Sequence, residues 1–457
     1  MAVDTADIAV RPSPHRATRA AQAFFNPSRV ESPHFLLLLW FVTRFVVIGV
    51  WALLRTGAQG DVSYYYDHIA TLGQTGPGGA MPEYPTPALW ILSLPYLLGL
   101  GSSTGYAAAF CCLMLALDAA FTLSLWRFGG ARRGQAIVIW TVFIAFIGPT
   151  VYQRFDLVTS VLAGWGLIAA WRKRPVIAGV LVGVAAAVKL WPALLWPALC
   201  GGSRPRAWRV TIAMIATGAT LAVASVAWGG WARLLSPLTY QSDRGLQVES
   251  VFASIPMLLR SWHIGDYAVT ISRYLAFEIW GTGVPFWLGA ASVAVMVAYA
   301  LIVAIYVAWL VRGHGRMIEG CVLTLLVTVL LIVTNKTFSP QYVIWLGGPL
   351  AATLLVVGDT PAGGTTHPLD AIQSELDKHR LVRITWLTLA ITLATIVVYP
   401  IGYPQLVNDS AGIGWLRPII TLVLFARNAM MVWLLVELGK WAFSFLRPGV
   451  WRLVRGR

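Results

Sequence analysis

Long apolar runs separated by short polar stretches fill this chain from residue 35 almost to its end. A helix needs about 20 apolar residues to cross roughly 30 Å of hydrocarbon, fewer where it is kinked or lines a wet cavity. Twelve runs qualify: 35–54, 105–126, 135–150, 155–171, 176–189, 191–203, 208–228, 285–311, 317–334, 342–357, 384–400 and 418–437. Of the 457 residues, 58% are apolar and only 12% charged, more apolar surface than a soluble fold of this length could hide. A water-soluble enzyme, a disordered chain, collagen and a coiled coil are excluded on that balance. The expected fold class is an all-α polytopic membrane protein with about twelve transmembrane helices.

The positive-inside rule orients these spans. With both termini cytoplasmic, 23 of the 34 Lys and Arg residues fall in cytoplasmic segments. The net charge of +15 is then a topology signal and not a nucleic-acid footprint. Two stretches need a choice. Residues 86–100 are short and carry Pro87 and Pro95, so we read them as a juxtamembrane helix in the outer interface. Residues 175–200 are interrupted by Lys189, Pro192 and Pro197, and we read two short broken legs meeting near Lys189. The expected organisation is a cytoplasmic tail at 1–33, a transmembrane domain over 34–437 and a basic cytoplasmic tail at 438–457. Two long outer loops cover 55–104 and 229–284, and a polar connector covers 358–383.

Other counts narrow the class further. Cys111, Cys112, Cys200 and Cys321 lie in apolar runs with no metal-ligand spacing, so neither a disulfide framework nor a zinc site is expected. The preference for Arg over Lys, with abundant Ala, Gly, Val and Leu, suggests a GC-rich bacterial genome. The first 33 residues are too long for a signal-peptide n-region, so the first apolar run is expected to be retained. Neither GxGxxG nor GxxxxGK occurs, which argues against a nucleotide-linked donor. Gly179 and Gly183 are most simply a close helix contact.

Charge in or beside a membrane is costly, so its position is informative. Asp61 and Asp67 lie just after the first span in GDVSYYYD; a carboxylate there suits a general base, or simply a helix cap. Arg154 and Asp156 stand at the head of the fourth span, either as a helix-start pair or with Arg154 facing a phosphate. Lys189, followed by Pro192, either snorkels to the interface or meets a lipid phosphate. The stretch from Tyr240 to Ser250 holds Asp243, Arg244 and Glu249, as a sugar-binding loop or a plain surface loop would. Asn335 to Tyr342 packs Lys336, Ser339 and Gln341 into one turn, more polar variety than a bare connection needs. His68 and His263 are isolated.

Taken in order, these segments resemble a known family. The acid after the first span, the Tyr84-Pro85 motif, AGVLVGVAAAVKLWP at 178–192, QSDRGLQVES at 241–250 and FSPQY at 338–342 all recur. They are similar to glycosyltransferases of the C-type fold, most closely the polyprenyl-phosphate-mannose-dependent α-mannosyltransferases of glycosyltransferase family 87. The resemblance runs from about Phe35 to about Tyr342. It implies that Asp61 deprotonates the acceptor hydroxyl, with Asp67 as the rival. It implies that Arg154, Asp156 and Lys189 surround the donor phosphate and sugar, with Lys336, Ser339, Gln341 and Tyr342 facing the same cavity. Arg244, Glu249 and Ser250, with Asp67 and Glu83, would line the acceptor side. The implied reaction is an inverting transfer needing no metal and no cofactor. Its partners would be a polyprenyl-phosphate-linked sugar, a glycolipid or polysaccharide acceptor and membrane lipids, with no nucleic acid. The implied setting is the outer face of a bacterial plasma membrane. One departure is Thr86, which turns the usual Tyr-Pro-Pro into Tyr84-Pro85-Thr86-Pro87.

Two other readings fit the sequence. A donor carrying another sugar, such as arabinofuranose, would need the same groups. A transporter or lipid flippase would instead use Asp118, Glu319 and Arg427 within the spans.

Overall fold

The computed structural model describes residues 31–54, 60–201, 203–240, 244–312, 315–357, 368–408 and 414–446. Both expected tails lie largely outside these residues, as do Arg55, Asp243, Asp409 and the 358–367 part of the connector.

The chain is a helical bundle of a polytopic membrane protein. Among the described residues, eight helices are long and apolar enough to cross a membrane: Pro33–Leu53, Ser103–Phe128, Gly130–Tyr152, Arg204–Thr239, Val284–Arg312, Met317–Thr334, Ile372–Ile401 and Leu416–Leu446. The four remaining expected spans are shorter. Three fall on Asp156–Trp171, Pro175–Val188 and Pro340–Val356. The fourth is a 3₁₀ turn, Trp191–Leu195, running into Trp196–Leu199. Lys189 breaks the two legs with extended backbone (φ −152°, ψ 126°), and Pro192 and Pro197 start the next two short turns.

Burial sorts the helices into layers. The most apolar windows of Gly130–Tyr152 and Met317–Thr334 are 78% and 83% buried, whereas those of Pro33–Leu53 and Arg204–Thr239 are each 17% buried. The first two therefore form the centre, and the others present their side chains to lipid. The short helix Asp156–Trp171 is almost entirely enclosed. Its small residues admit close crossings: a side chain at Gly348 would meet Ser160 O at 2.0 Å. Ser160 Oγ donates to Ile344 O (2.6 Å) and accepts from Gly348 N (3.0 Å), locking this helix to the segment that carries Trp345. Gly179 and Gly183 lie against Val210 and Thr217 of the neighbouring helix, the close contact expected from their spacing.

Several boundaries differ from the sequence reading. Residues 368–383 are not a loose connector but the start of a 29-residue helix, Pro368–Ile396. Their polar side chains pair along the helix, as Gln373 Nε2 does with Asp377 Oδ1 (2.9 Å), so polarity there marks a helix beyond the apolar core rather than a break. The last helix runs to Leu446, with Leu438, Trp441 and Phe445 buried. The second long loop is also built: Arg204–Thr239 continues past a kink at Gly230 (φ 76°), and a helix Ser254–Ser261 follows. The strands Ala268–Ile271 and Phe277–Trp280 then pair antiparallel. The first loop contains Gly60–Ala70, Leu72–Gly79 and Thr86–Leu98. Thr86–Leu98 spans about 20 Å, too short to cross, and buries one face while Leu94, Leu97 and Leu98 stay exposed.

Candidate active site

The site assembles where short helices end. Asp156 occupies the first turn of Asp156–Trp171, where unpaired backbone N–H groups favour a carboxylate, and it is fully buried. Its Oδ1 accepts from Lys189 Nζ (2.5 Å) and from Trp345 Nε1 (2.5 Å), while Oδ2 has no hydrogen-bond partner. The Lys189 ammonium sits over the rings of Trp345, Tyr342 and Tyr84 at 5.2, 5.6 and 5.9 Å. Trp345 in turn stacks on Trp191 (4.7 Å) and Tyr342 (4.3 Å). Lys189 does not snorkel away from the fold; a carboxylate and three ring faces hold it.

Two residues before Asp156, the buried Arg154 forms an ion pair with Asp61. Asp61 lies in the first turn of Gly60–Ala70 and keeps 34% of its side chain exposed. Arg154 Nη2 also donates to Tyr399 Oη (2.8 Å), and its Nε has no hydrogen-bond partner. One turn after Asp61, Tyr65 Oη contacts Tyr84 Oη (3.2 Å), and Tyr84 is one of the rings beside Lys189. Asp61, Arg154, Asp156, Lys189, Tyr84 and Tyr65 thus close a circuit in which one carboxylate, that of Asp61, is open to solvent.

The Tyr84 segment is anchored from the side. Arg233 is buried and donates to Ala80 O (2.8 Å), Met81 O (3.1 Å) and Tyr84 O (2.7 Å). Pro85 caps the helix at Thr86, so the Thr86 departure leaves the chain entering the juxtamembrane helix directly. Tyr64 Oη donates to Glu83 Oε1 (2.8 Å). Burial first, then the Glu83 charge, holds the Tyr64 hydroxyl well above its ordinary range, so it remains a donor.

The remaining expected site residues make contacts of their own. Glu249 is completely buried and bound by Arg427, through Nη1 to Oε2 (2.7 Å) and Nη2 to its backbone O (2.6 Å). Asn428 Nδ2 donates to Glu249 O (3.2 Å) and Ser250 O (3.1 Å). Ser250 Oγ caps the next turn through Ala253 N (3.1 Å). Arg244 lies over the Tyr274 ring of the hairpin at 5.7 Å. Asp67 is exposed and, six residues from Asp61, points about 120° away around the helix. In the late turn, Asn335 Oδ1 accepts from Thr337 N (3.0 Å), and Ser339 Oγ donates to Gln341 Oε1 (2.8 Å). The backbone O of Lys336 accepts from Gln247 N (3.1 Å), tying that turn to the second loop.

The charges within the spans are committed to one another. Asp118 accepts from Arg44 Nε (2.8 Å) and Nη2 (2.7 Å), Trp140 Nε1 (2.7 Å) and Tyr152 Oη (2.8 Å). Glu319 pairs with Arg312 (2.7 Å) and Arg316 (3.2 Å). With Arg427 on Glu249, all three groups that a transporter would use are tied in buried contacts. Among the described residues no three His, Cys, Asp or Glu side chains gather as a metal site.

Sequence reasoning missed Tyr399, Trp345, Trp191 and Arg233. Aromatic residues in apolar runs carry no signal of their own. Arg233 follows a span closely enough to pass for an interface charge.

Compared with known proteins, the chain matches the family described as Glycosyltransferase family 87 over residues 83–340. The match includes Arg154, Asp156 and Lys189; Asp61, Tyr342 and Tyr399 lie beyond its ends. No curated protein and no solved structure matches the chain.

Proposed function

The chain belongs to glycosyltransferase family 87, and on that premise we propose that it moves mannose from a polyprenyl-phosphate-linked donor to a glycolipid or polysaccharide acceptor. The observation that carries this reading is the open Asp61 carboxylate set against the buried Arg154 guanidinium, with Lys189 in the same circuit. The setting we infer is a bacterial plasma membrane, with both termini cytoplasmic and the site on the outer face.

The chemistry needs a base beside the acceptor hydroxyl and positive charge beside the leaving phosphate. Asp61 takes the proton of an acceptor hydroxyl, and that oxygen bonds to the anomeric carbon. The bond from that carbon to the phosphate oxygen breaks with inversion, and its electron pair leaves on the polyprenyl phosphate. Arg154 and Lys189 supply positive charge where the leaving phosphate gains negative charge. A lipid-linked donor suits a site at the end of buried helices, because the lipid reaches it from within the bilayer.

The test is Asp61→Asn in membranes supplied with polyprenyl-phosphate-mannose and acceptor. Transfer is expected to vanish with protein level intact; full activity would remove Asp61 from the base role. A polyprenyl-phosphate-arabinofuranose donor in the same assay decides the sugar.

A further inference from the structure

Between the first span and the helix Ser103–Phe128 runs a groove of about 120 Å³ whose lining includes Ile48, Trp51, Cys112, Leu115, Tyr152 and Gln153. Ile48 and Cys112 are exposed, so the groove opens to lipid, whereas Tyr152 and Gln153 are buried and form its floor. It lies at the end of the bundle that carries the candidate site. Trp51 stands in the last turn of the first span, and Gln153 directly precedes Arg154. The floor's polar groups are not equally engaged. Tyr152 gives its hydroxyl to Asp118 Oδ2 (2.8 Å), and the Cys111 thiol donates to Tyr152 O (3.5 Å). Gln153 is 1% exposed, and neither its amide N nor its amide O has a hydrogen-bond partner. Folded chains rarely leave a buried amide bare, and a lipid-facing groove has no need of one.

We propose that this groove seats the first isoprene units of a polyprenyl phosphate, with the Gln153 amide N–H donating to a phosphate oxygen beside Arg154. This seat rests on the prenyl-linked donor proposed above, and adds to it a path for the chain and a new contact for the phosphate. The chemistry of the lipid favours it. Prenyl phosphate joins its chain directly to the phosphate, so a chain lying along Ile48, Trp51 and Leu115 brings the charge to Gln153 and Arg154. A phospholipid keeps a glycerol and two ester groups between its chains and its phosphate, and a groove this narrow takes one chain rather than two. The amide supplies a neutral donor where Arg154 already supplies charge, and hydrogen bonds to charged acceptors are the stronger kind. The apolar wall keeps water from the chain, as burial of a branched hydrocarbon requires.

The experiment uses the full chain in phosphatidylcholine nanodiscs with a polyprenyl phosphate that carries a diazirine on its second isoprene unit. After photolysis, labelled peptides are mapped by mass spectrometry, and label is expected on the 47–51 and 111–115 segments. Gln153→Leu should lower that labelling about tenfold, the scale of one hydrogen bond to a charged group, with thermal unfolding unchanged. It should leave labelling by the matching polyprenol, which lacks the phosphate, as in the parent. Cys112→Trp, which fills the groove from its exposed side, should lower labelling by both probes. Gln135→Leu removes another buried amide without a partner, at the far end of Arg133–Ile147, and should label as the parent does. Label on other spans, full labelling of Cys112→Trp, or equal loss in Gln135→Leu would overturn the proposal. So would displacement of the probe by phosphatidic acid as readily as by unlabelled polyprenyl phosphate, since that would assign the groove to phospholipid. Transfer from polyprenyl-phosphate-mannose is read on the same samples. Transfer with label elsewhere overturns the groove alone; label in the groove without transfer overturns the mannose reading and leaves the prenyl-phosphate seat standing.

Discussion

The Lys189 ammonium lies 2.5 Å from Asp156 Oδ1, and both groups are held within a fold whose helices end around them. Neither partner could be buried alone at reasonable cost. The pair therefore supports the fold as well as offering charge to a phosphate.

That dual role predicts asymmetry between variants. Asp156→Asn or Lys189→Met alone should destabilise the protein by about 3 kcal/mol, because each leaves the other charge buried and unpaired. The double variant should recover part of that loss. Thermal unfolding in one detergent measures all three. Additive losses in the double variant would show that the two do not act as a pair.

The Glu249–Arg427 contact predicts a pH dependence. Burial pushes the Glu249 carboxyl above its ordinary range, and Arg427 opposes that shift. A carboxyl raised in the folded state stabilises the fold below its unfolded value of about 4.3, and that contribution is lost as pH rises through the folded value. Arg427→Met removes the opposing charge. Its Tm should fall more steeply than the parent's as pH rises above the ordinary carboxyl range. Adding Glu249→Gln should flatten the curve again.

Close packing at Gly179 predicts a steric penalty. A side chain there would meet Val210 O at 2.3 Å, whereas one at Gly218 would meet nothing within 4 Å. Gly179→Ala should cost about 1–3 kcal/mol, and Gly218→Ala should be neutral or stabilising. Unfolding of the two variants side by side checks this.

Arg233 predicts a loss of activity without a loss of helix. Its three bonds to the 80–84 backbone hold Tyr84 near Lys189. Arg233→Met should lower transfer about 100-fold by letting that segment shift, with circular dichroism unchanged. Arg233→Lys should restore part of it.

Asp67 separates the two candidate bases. It is exposed, on another face of the helix from Asp61. Asp67→Asn should stay within about twofold of parent transfer, as exposed substitutions away from a site do. Abolished transfer in that variant would move the base from Asp61 to Asp67.

How much of this was legible varies by feature. The apolar runs marked where each span falls, and Lys189 with Pro192 marked the broken leg, because both signals are local. The extents were less legible: polar residues 368–383 read as a connector, yet side-chain pairing keeps them helical. Asp61, Arg154, Asp156 and Lys189 stood out because charge beside a membrane demands a reason. Glu249 stood out equally, yet the structure commits it to Arg427. Trp345 and Tyr399 could not stand out, since aromatic residues in apolar runs are ordinary.

The sequence by itself determined that the chain is a membrane-embedded helical bundle and which few charges it must accommodate. Solvation decides those matters, and each run or charge carries its own solvation cost. Only the tertiary structure decided who pairs with whom. Asp156 meets Trp345 across 189 residues, and Arg427 meets Glu249 across 178. Such contacts form only after helices distant in sequence pack, so no local pattern separates the open carboxylate of Asp61 from the enclosed one of Glu249.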